Sequence, residues 1–143
     1  MRIAIPIWED KISPVLDTAS RLLVVEVENQ SEASRFEIYL DEQQISRRCF
    51  RIQGLGVDIL ICGAVSRPFY RMLMASGIDV ISGISGPAED ILDACLKGNL
   101  ADSKFLMPGC QGNGLNEHFR FLDSWDHDNK WPKEETKMNA KKD

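Results

Sequence analysis

Six side chains in the sequence offer thiol or imidazole donors: Cys49, Cys62, Cys95 and Cys110, with His118 and His127. The cysteines are scattered and form no Cys-x-x-Cys pair, so no single motif announces a metal centre. Cys49 and Cys95 fall on the apolar stripes of two expected helices, where a thiol serves as a small hydrophobe. Cys62 closes the apolar run Asp58–Gly63, where a buried strand should give way to a loop. Cys110 is different. It lies between Pro108-Gly109 and Gln111-Gly112-Asn113-Gly114, with nothing apolar nearby to explain it. Iron and iron–sulfur clusters accept thiolate readily, which makes Cys110 the leading ligand candidate. His118 follows about two helical turns later, if that segment is helical, and can join it. One cysteine and one histidine leave a site incomplete. Cys62, a second chain or ligands already on the cargo would have to complete it, and an incidental exposed thiol is the competing interpretation. His127 sits in Trp125-Asp126-His127-Asp128, an order that can hold a metal but is more often a solvated charge cluster.

The elements that must position these groups follow from periodicity. Arg2–Ile7, Arg21–Glu28 and Arg35–Leu40 have the apolar runs and alternation of strands. A polar loop from Trp8 to Ser20 and a turn over Asn29–Ser34 link them into an antiparallel meander. From Asp41 to about Gln53 the period becomes helical, with Ile45, Cys49 and Ile52 on one stripe, Asp41 as cap and Gly54 as stop. Asp58–Gly63 suits a strand covered on both faces. Ser66 can cap a second helix with Pro68 in its first turn, and Gly77 ends it. Ile78–Ser82 is a short strand. Ser85-Gly86-Pro87 then opens a third helix that buries Ala88, Ile91, Leu92, Cys95 and Leu96 and stops at Gly98.

The order βββαβαβα predicts an α/β protein with a ribonuclease-H-like three-layer fold. Its five-stranded mixed sheet should run in spatial order 3-2-1-4-5, because parallel crossovers are right-handed. Residues 1–107 form the expected domain. Residues 108–143 form a Gly-rich loop and a polar tail expected to be mobile, in which Trp125 and Trp131 could dock on the domain or on a partner.

In such a sheet ligands bind at the carboxyl ends of strands where the strand order reverses, here between the first and fourth strands. Ser13 lies on one bordering loop, Cys62, Gly63, Ala64 and Ser66 on a second, and Gly83, Ser85 and Gly86 on a third. Small residues let a ligand approach the backbone. Ser66 and Ser85 are each expected to open a helix whose free N–H groups and dipole favour an anion. A metal cluster or other anionic cargo would suit that crevice, although glycine and serine are also ordinary turn and cap residues.

Composition removes several function classes. A net charge of −5 argues against nucleic acid, whose phosphates require a basic surface. No apolar run approaches the roughly 20 residues that span a bilayer. Met1–Pro6 enters a strand-like segment with no signal-peptide pattern, so the expected location is cytoplasmic. There is no Ser-His-Asp order and no P-loop. A two-metal nuclease needs an acid inside the first strand. Ile3-Ala4-Ile5-Pro6-Ile7 has none, and the first acids are Glu9 and Asp10.

The succession MRIAIPI, ISPVLDTASRLLVVEVE and LGVDILICGAVSRPFYRMLMASGIDVISGISGPAEDILDACLKGNL resembles the dinitrogenase iron–molybdenum cofactor biosynthesis family. That family includes NifX-like proteins and the C-terminal domain of NifB-like proteins. The resemblance implies the same ribonuclease-H-like fold. It also implies non-catalytic binding or transfer of iron–sulfur or iron–molybdenum-type cluster precursors, with other metallocluster-assembly proteins as partners. Many members carry His-Phe-Gly where this chain has Val15-Leu16-Asp17, so a ligand the family often offers is missing. A cofactor-free adaptor that binds another protein is the alternative function.

Overall fold

A computed structural model describes residues 1–98 and 105–107. Its layering follows from the strand period of two, which sends alternate side chains to opposite faces. In β1 (Arg2–Trp8) the residues Ile3, Ile5 and Ile7 enter one core and Ala4 the other. β3 (Arg21–Glu28), beyond the two-residue strand β2 (Lys11–Ile12), divides its residues likewise. Leu23, Val25 and Val27 face one way, Leu22 and Val24 the other. Two cores on a single sheet demand a helix layer on each face.

Those layers come from three helices. α3 (Ala88–Lys97) covers the Ile3–Ile5–Ile7 face with Ala88, Ile91, Leu92 and Cys95. α1 (Ile45–Gly54) and α2 (Arg67–Ala75) cover the other with Cys49, Ile52, Phe69 and Leu73. The remaining strands are β4 (Ser31–Tyr39), β5 (Ile59–Ile61) and β6 (Asp79–Ile81). The main path of the sheet is β4-β3-β1-β5-β6, with β2 attached to β1. β1 runs antiparallel to β3 and parallel to β5, so the sheet is mixed.

Several local expectations need correction. The sheet has six strands rather than five, because Lys11–Ile12 folds back on Ile7–Trp8. The hairpin between β3 and β4 turns at Asn29 and Gln30, both with positive φ, so β4 begins at Ser31 instead of Arg35. That pair of left-handed residues makes the tight turn that matches strand twist. α1 begins at Ile45 and not at Asp41; Gln44 precedes it without a side-chain cap. Gly54 is its last residue, and the left-handed position behind it belongs to Gly56. α3 begins at Ala88 after Pro87, so Ser85 does not open it. Ser66 does cap α2, its Oγ accepting from the Phe69 N–H, and Gly98 closes α3 in the left-handed conformation.

Arg48 is the largest surprise in the packing. It lies on the buried stripe of α1 and is only 5% exposed. Its Nε donates to the Glu42 carbonyl (2.8 Å) and its Nη1 to the Ala19 carbonyl (2.7 Å), with longer bonds to Leu16 and Leu40. One guanidinium therefore fastens the 3-10 turn Leu16–Thr18 and the β4–α1 link to the same helix. Removing it would leave buried carbonyls without donors, each a cost of about 1–3 kcal/mol. Arg48→Ala is expected to destabilise the protein by about 2–4 kcal/mol, read from urea unfolding. A loss below about 1 kcal/mol would show that these carbonyls find other donors.

A surface network adds a pH term. Arg35 donates to both carboxylate oxygens of Glu32 (2.6 and 2.7 Å) and to those of Glu89 at the start of α3. The hydrogen bonds from Arg35 hold both carboxyls below their ordinary 4.5. Depressed carboxyl values stabilise the fold above the unfolded value, and that contribution vanishes as pH falls through the folded one. The stability difference between the native chain and Arg35→Ala is therefore expected to be full at pH 7 and to shrink below pH 4.5. A difference that stays constant down to about pH 3 would assign it to packing instead.

Candidate functional site

Pairing between β1 and β5 stops at Ala4, two residues short of Pro6, whose nitrogen has no hydrogen to extend a ladder. β1 itself runs on to Trp8, paired with β3 and then with β2, and three loops gather at the reversal of strand order. The first, Ser13–Thr18, lies directly on the second, Cys62–Ser66. The Ala64 N–H donates to the Pro14 carbonyl and the Leu16 N–H to the Ala64 carbonyl, both at 2.8 Å, forming a short parallel bridge between Val15 and Ala64. The third loop joins through the Gly83 N–H on the Gly63 carbonyl (2.9 Å) and the Ile84 N–H on the Cys62 carbonyl (3.1 Å). Gly83 turns there with φ +80°, a conformation that glycine adopts without strain.

Gly63 makes the contact possible. A Cβ on it would lie 2.6 Å from the Pro14 carbonyl oxygen and 2.9 Å from that of Ser13. Any side chain at this position must push two backbone segments apart. Ser13 itself is buried, its N–H donating to the Pro6 carbonyl.

The eight crevice residues named from the sequence thus share one neighbourhood, but their donors are largely engaged within the chain. Beyond the amides of Ala64 and Gly83, the Ser66 N–H donates at 2.8 Å to Asp17 Oδ1. A carboxylate of the protein's own therefore sits at the amino end of α2, where an external anion was expected. The Ser85 N–H donates to the Phe105 carbonyl (2.7 Å), and the Gly86 carbonyl accepts from Ile12. Asp17 was overlooked because it lies in a polar loop, 49 residues before its partner. Its signal was present all the same: an aspartate at the place of a family glycine, in a loop expected to face a helix start.

Cys62 is fully buried at the base of the crevice. Burial pushes its thiol up to about 12, and the Asp17 carboxylate adds to the shift. At neutral pH it keeps its proton, and a protonated thiol is a poor metal ligand. Cys49 and Cys95 are buried as the helix stripes required, Cys49 with its Sγ 3.4 Å from Ser76 Oγ. Among the described residues no three His, Cys, Asp or Glu side chains come together in a way that could hold a metal ion. Cys110, His118, His127, Trp125 and Trp131 lie outside the described residues.

A cavity of about 490 Å³ opens beside Asp17, with Thr18, Ser20, Tyr39, Asp41 and Arg48 among its walls. The Arg48 guanidinium is engaged by backbone carbonyls, and two carboxylates face the space, so it is a poor home for an anion. No helix among the described residues is long and apolar enough to cross a membrane.

Comparison with known proteins gives this site a context. The family described as "Dinitrogenase iron-molybdenum cofactor" matches residues 1–98. No curated protein matches the chain. Among solved structures, the protein PH0822 superposes with a TM-score of 0.65 at 21% identity, covering 68% of this chain and 90% of its own. A Methanocaldococcus jannaschii protein with a provisional dinitrogenase name, MJ0327, gives 0.58 at 20%, covering 69% and 90%. The apo form of the orange protein of Desulfovibrio gigas gives 0.54 at 19%, covering 68% and 88%. At such identities the structures share the fold and nothing further follows from them.

Two outcomes test the geometry. Gly63→Ala is expected to cost about 1–3 kcal/mol by overpacking. It should also speed hydrogen exchange at the amides of Leu16 and Ala64 more than in the strands; uniform exchange rates would detach the loops from Gly63. Cys62 is expected to resist alkylation by iodoacetamide at about pH 8, where a free thiol reacts, until the chain unfolds. Rapid labelling of the native protein would contradict the buried, protonated thiol.

Proposed function

Because the chain belongs to the dinitrogenase iron-molybdenum cofactor family, we propose that it is a non-catalytic binding or carrier protein. Its cargo is an iron–sulfur or iron–molybdenum-type cluster or a precursor of one. The observation that carries this reading is the return of the chain to the crevice after α3. Phe105 accepts from the Ser85 N–H, and the Met107 N–H donates to the Gly83 carbonyl at 2.8 Å. Cys110 follows Met107 by three residues, which limits its reach from that rim to about 10 Å. A thiolate on so short a leash can meet a cluster resting on the loops of Ser13, Gly63, Ala64, Ser66, Gly83, Ser85 and Gly86. His118 is the next ligand, and the cargo's own sulfides or a second chain complete the set. Cys62 then serves as the floor beneath the cargo, since its proton disfavours direct ligation.

In this reading residues 1–107 are a ribonuclease-H-like domain and residues 108–143 carry the ligands. The setting is the cytoplasm and the partners are metallocluster-assembly proteins. The acidic balance of the chain disfavours nucleic acid as a partner. One observation favours the alternative of a cofactor-free adaptor. Asp17 fills the amino end of α2, so the dipole that would attract an anionic cluster is already answered.

Anaerobic reconstitution with iron and sulfide separates the two. The full chain is expected to retain a visible cluster chromophore, Cys62→Ala to retain it as well, and Cys110→Ala to lose it. Val15→His, which sets an imidazole beside Ala64, is expected to raise retention. No retained iron in the native chain, or equal retention without Cys110, would sink the carrier. A protein partner captured equally by Cys110→Ala, but lost on deletion beyond Asp123, would establish the adaptor.

A further inference from the structure

The two edges of the sheet are unlike. β6 at one end has three residues, too short to offer much of a ladder. β4 at the other has nine, contains neither proline nor lysine, and among the described residues pairs only with β3. Long edges of this kind are usually guarded, because a row of free N–H and C=O groups invites another strand. The irregularity in the β3–β4 register lies at Glu26/Val27, near the start of β4, so Ser34–Tyr39 continues without interruption. Its side chains are uncovered too: Phe36 is 43% exposed and Tyr39 71%.

We propose that β4 is a dimerisation edge, pairing antiparallel with β4 of a second copy of this chain about a two-fold axis through Phe36. The sequence of the edge selects the partner and the register. An axis perpendicular to the sheet keeps each face continuous, so opposed residues must be an even number of positions apart. Centred on Arg35, the pairing sets Arg35 against Arg35; centred on Glu37, it sets Glu37 against Glu37. Both are like-charge contacts. Centred on Phe36, it sets Arg35 against Glu37 twice, Phe36 against Phe36 and Ser34 against Ile38. Opposed charges and paired aromatics stabilise a cross-strand contact, and like charges oppose it.

The charged pair lies on the face of the sheet that carries α3. There Arg35 already reaches Glu32 and Glu89, and Glu37 lies 3.1 Å from Arg21. A second copy would extend these exposed pairs across the axis without burying an unpaired charge. The aromatic pair lies on the opposite face, beside Ile38, which packs on the α1–α2 core. The interface is small, so the association should be reversible and concentration-dependent.

Sedimentation equilibrium on the full chain, up to about 1 mM, covers the range in which small interfaces still associate. The native chain is expected to move from monomer to dimer. Arg35→Glu and Glu37→Arg each create like-charge contacts and are expected to weaken the dimer about tenfold or more. Mixed in equal amounts, the two variants set an acidic edge against a basic one. Both charged contacts across the axis are then between opposite signs, and a heterodimer should form. Circular dichroism and thermal unfolding of each variant establish that both are folded. A native chain that stays monomeric would overturn the proposal. So would a dimer indifferent to either substitution, or folded variants that fail to associate when mixed.

Discussion

The arrangement of the crevice depends on a hydrogen atom in place of a side chain at position 63. Gly63 lets the carbonyls of Ser13 and Pro14 come closer than any Cβ would permit. The Val15–Ala64 bridge, the Leu16 amide bond and the seat of Asp17 on Ser66 all lie close to that contact along the two loops. Arg48 secures the same loop from behind through the carbonyls of Leu16 and Ala19. The first loop is thus held between a close approach on one side and a buried guanidinium on the other. Loops with few buried contacts open locally at little cost, and these two anchors oppose such opening.

That anchoring changes what the crevice can offer a ligand. Small residues at a strand-order reversal usually leave backbone amides free to meet a guest. Here the amides of Ala64, Ser66, Gly83 and Ser85 already have partners within the chain, one of them a carboxylate. The surface they leave is made of carbonyl edges and small side chains, with the neutral Cys62 thiol buried beneath it. It favours shape and contact over charge. A cluster would have to find its grip elsewhere, and the part of the sequence that holds Cys110, His118 and His127 follows the point where the described chain returns to this rim.

Much of the scaffold could be derived from the sequence, because its signals are local and periodic. The apolar runs of Arg2–Ile7 and Arg21–Glu28 marked two strands, and the helix stripes placed Cys49 and Cys95 in the interior. Boundaries failed where geometry rather than pattern decides them. Asn29 and Gln30 turn with positive φ, which side-chain type suggests only weakly, and β4 starts at Ser31, ahead of the expected Arg35, as a result. Asp41 and Ser85 have the chemistry of caps, yet α1 and α3 start later, because capping propensity names suitable residues and not the one used. The loops could be assigned to one end of the sheet by topology alone. Their mutual bonds could not, since Asp17 and Ser66 meet only through tertiary packing across 49 positions.

Arg48 shows most clearly why a binary reading of the sequence stops short. It falls between Ile45 and Ile52, squarely on the stripe that buries α1. Pattern alone treats a charge there as an error in phase. The chain instead uses it to satisfy carbonyls released where Leu16–Thr18 and the β4–α1 link depart from regular structure. Irregular backbone near a core leaves acceptors that must be answered, and a five-donor side chain answers several from one position. A charged residue on an apolar stripe is therefore a clue to nearby loops that lack their own ladder. In this chain the clue leads to the loop that carries Asp17, and through Asp17 to the helix end where an anion was first expected.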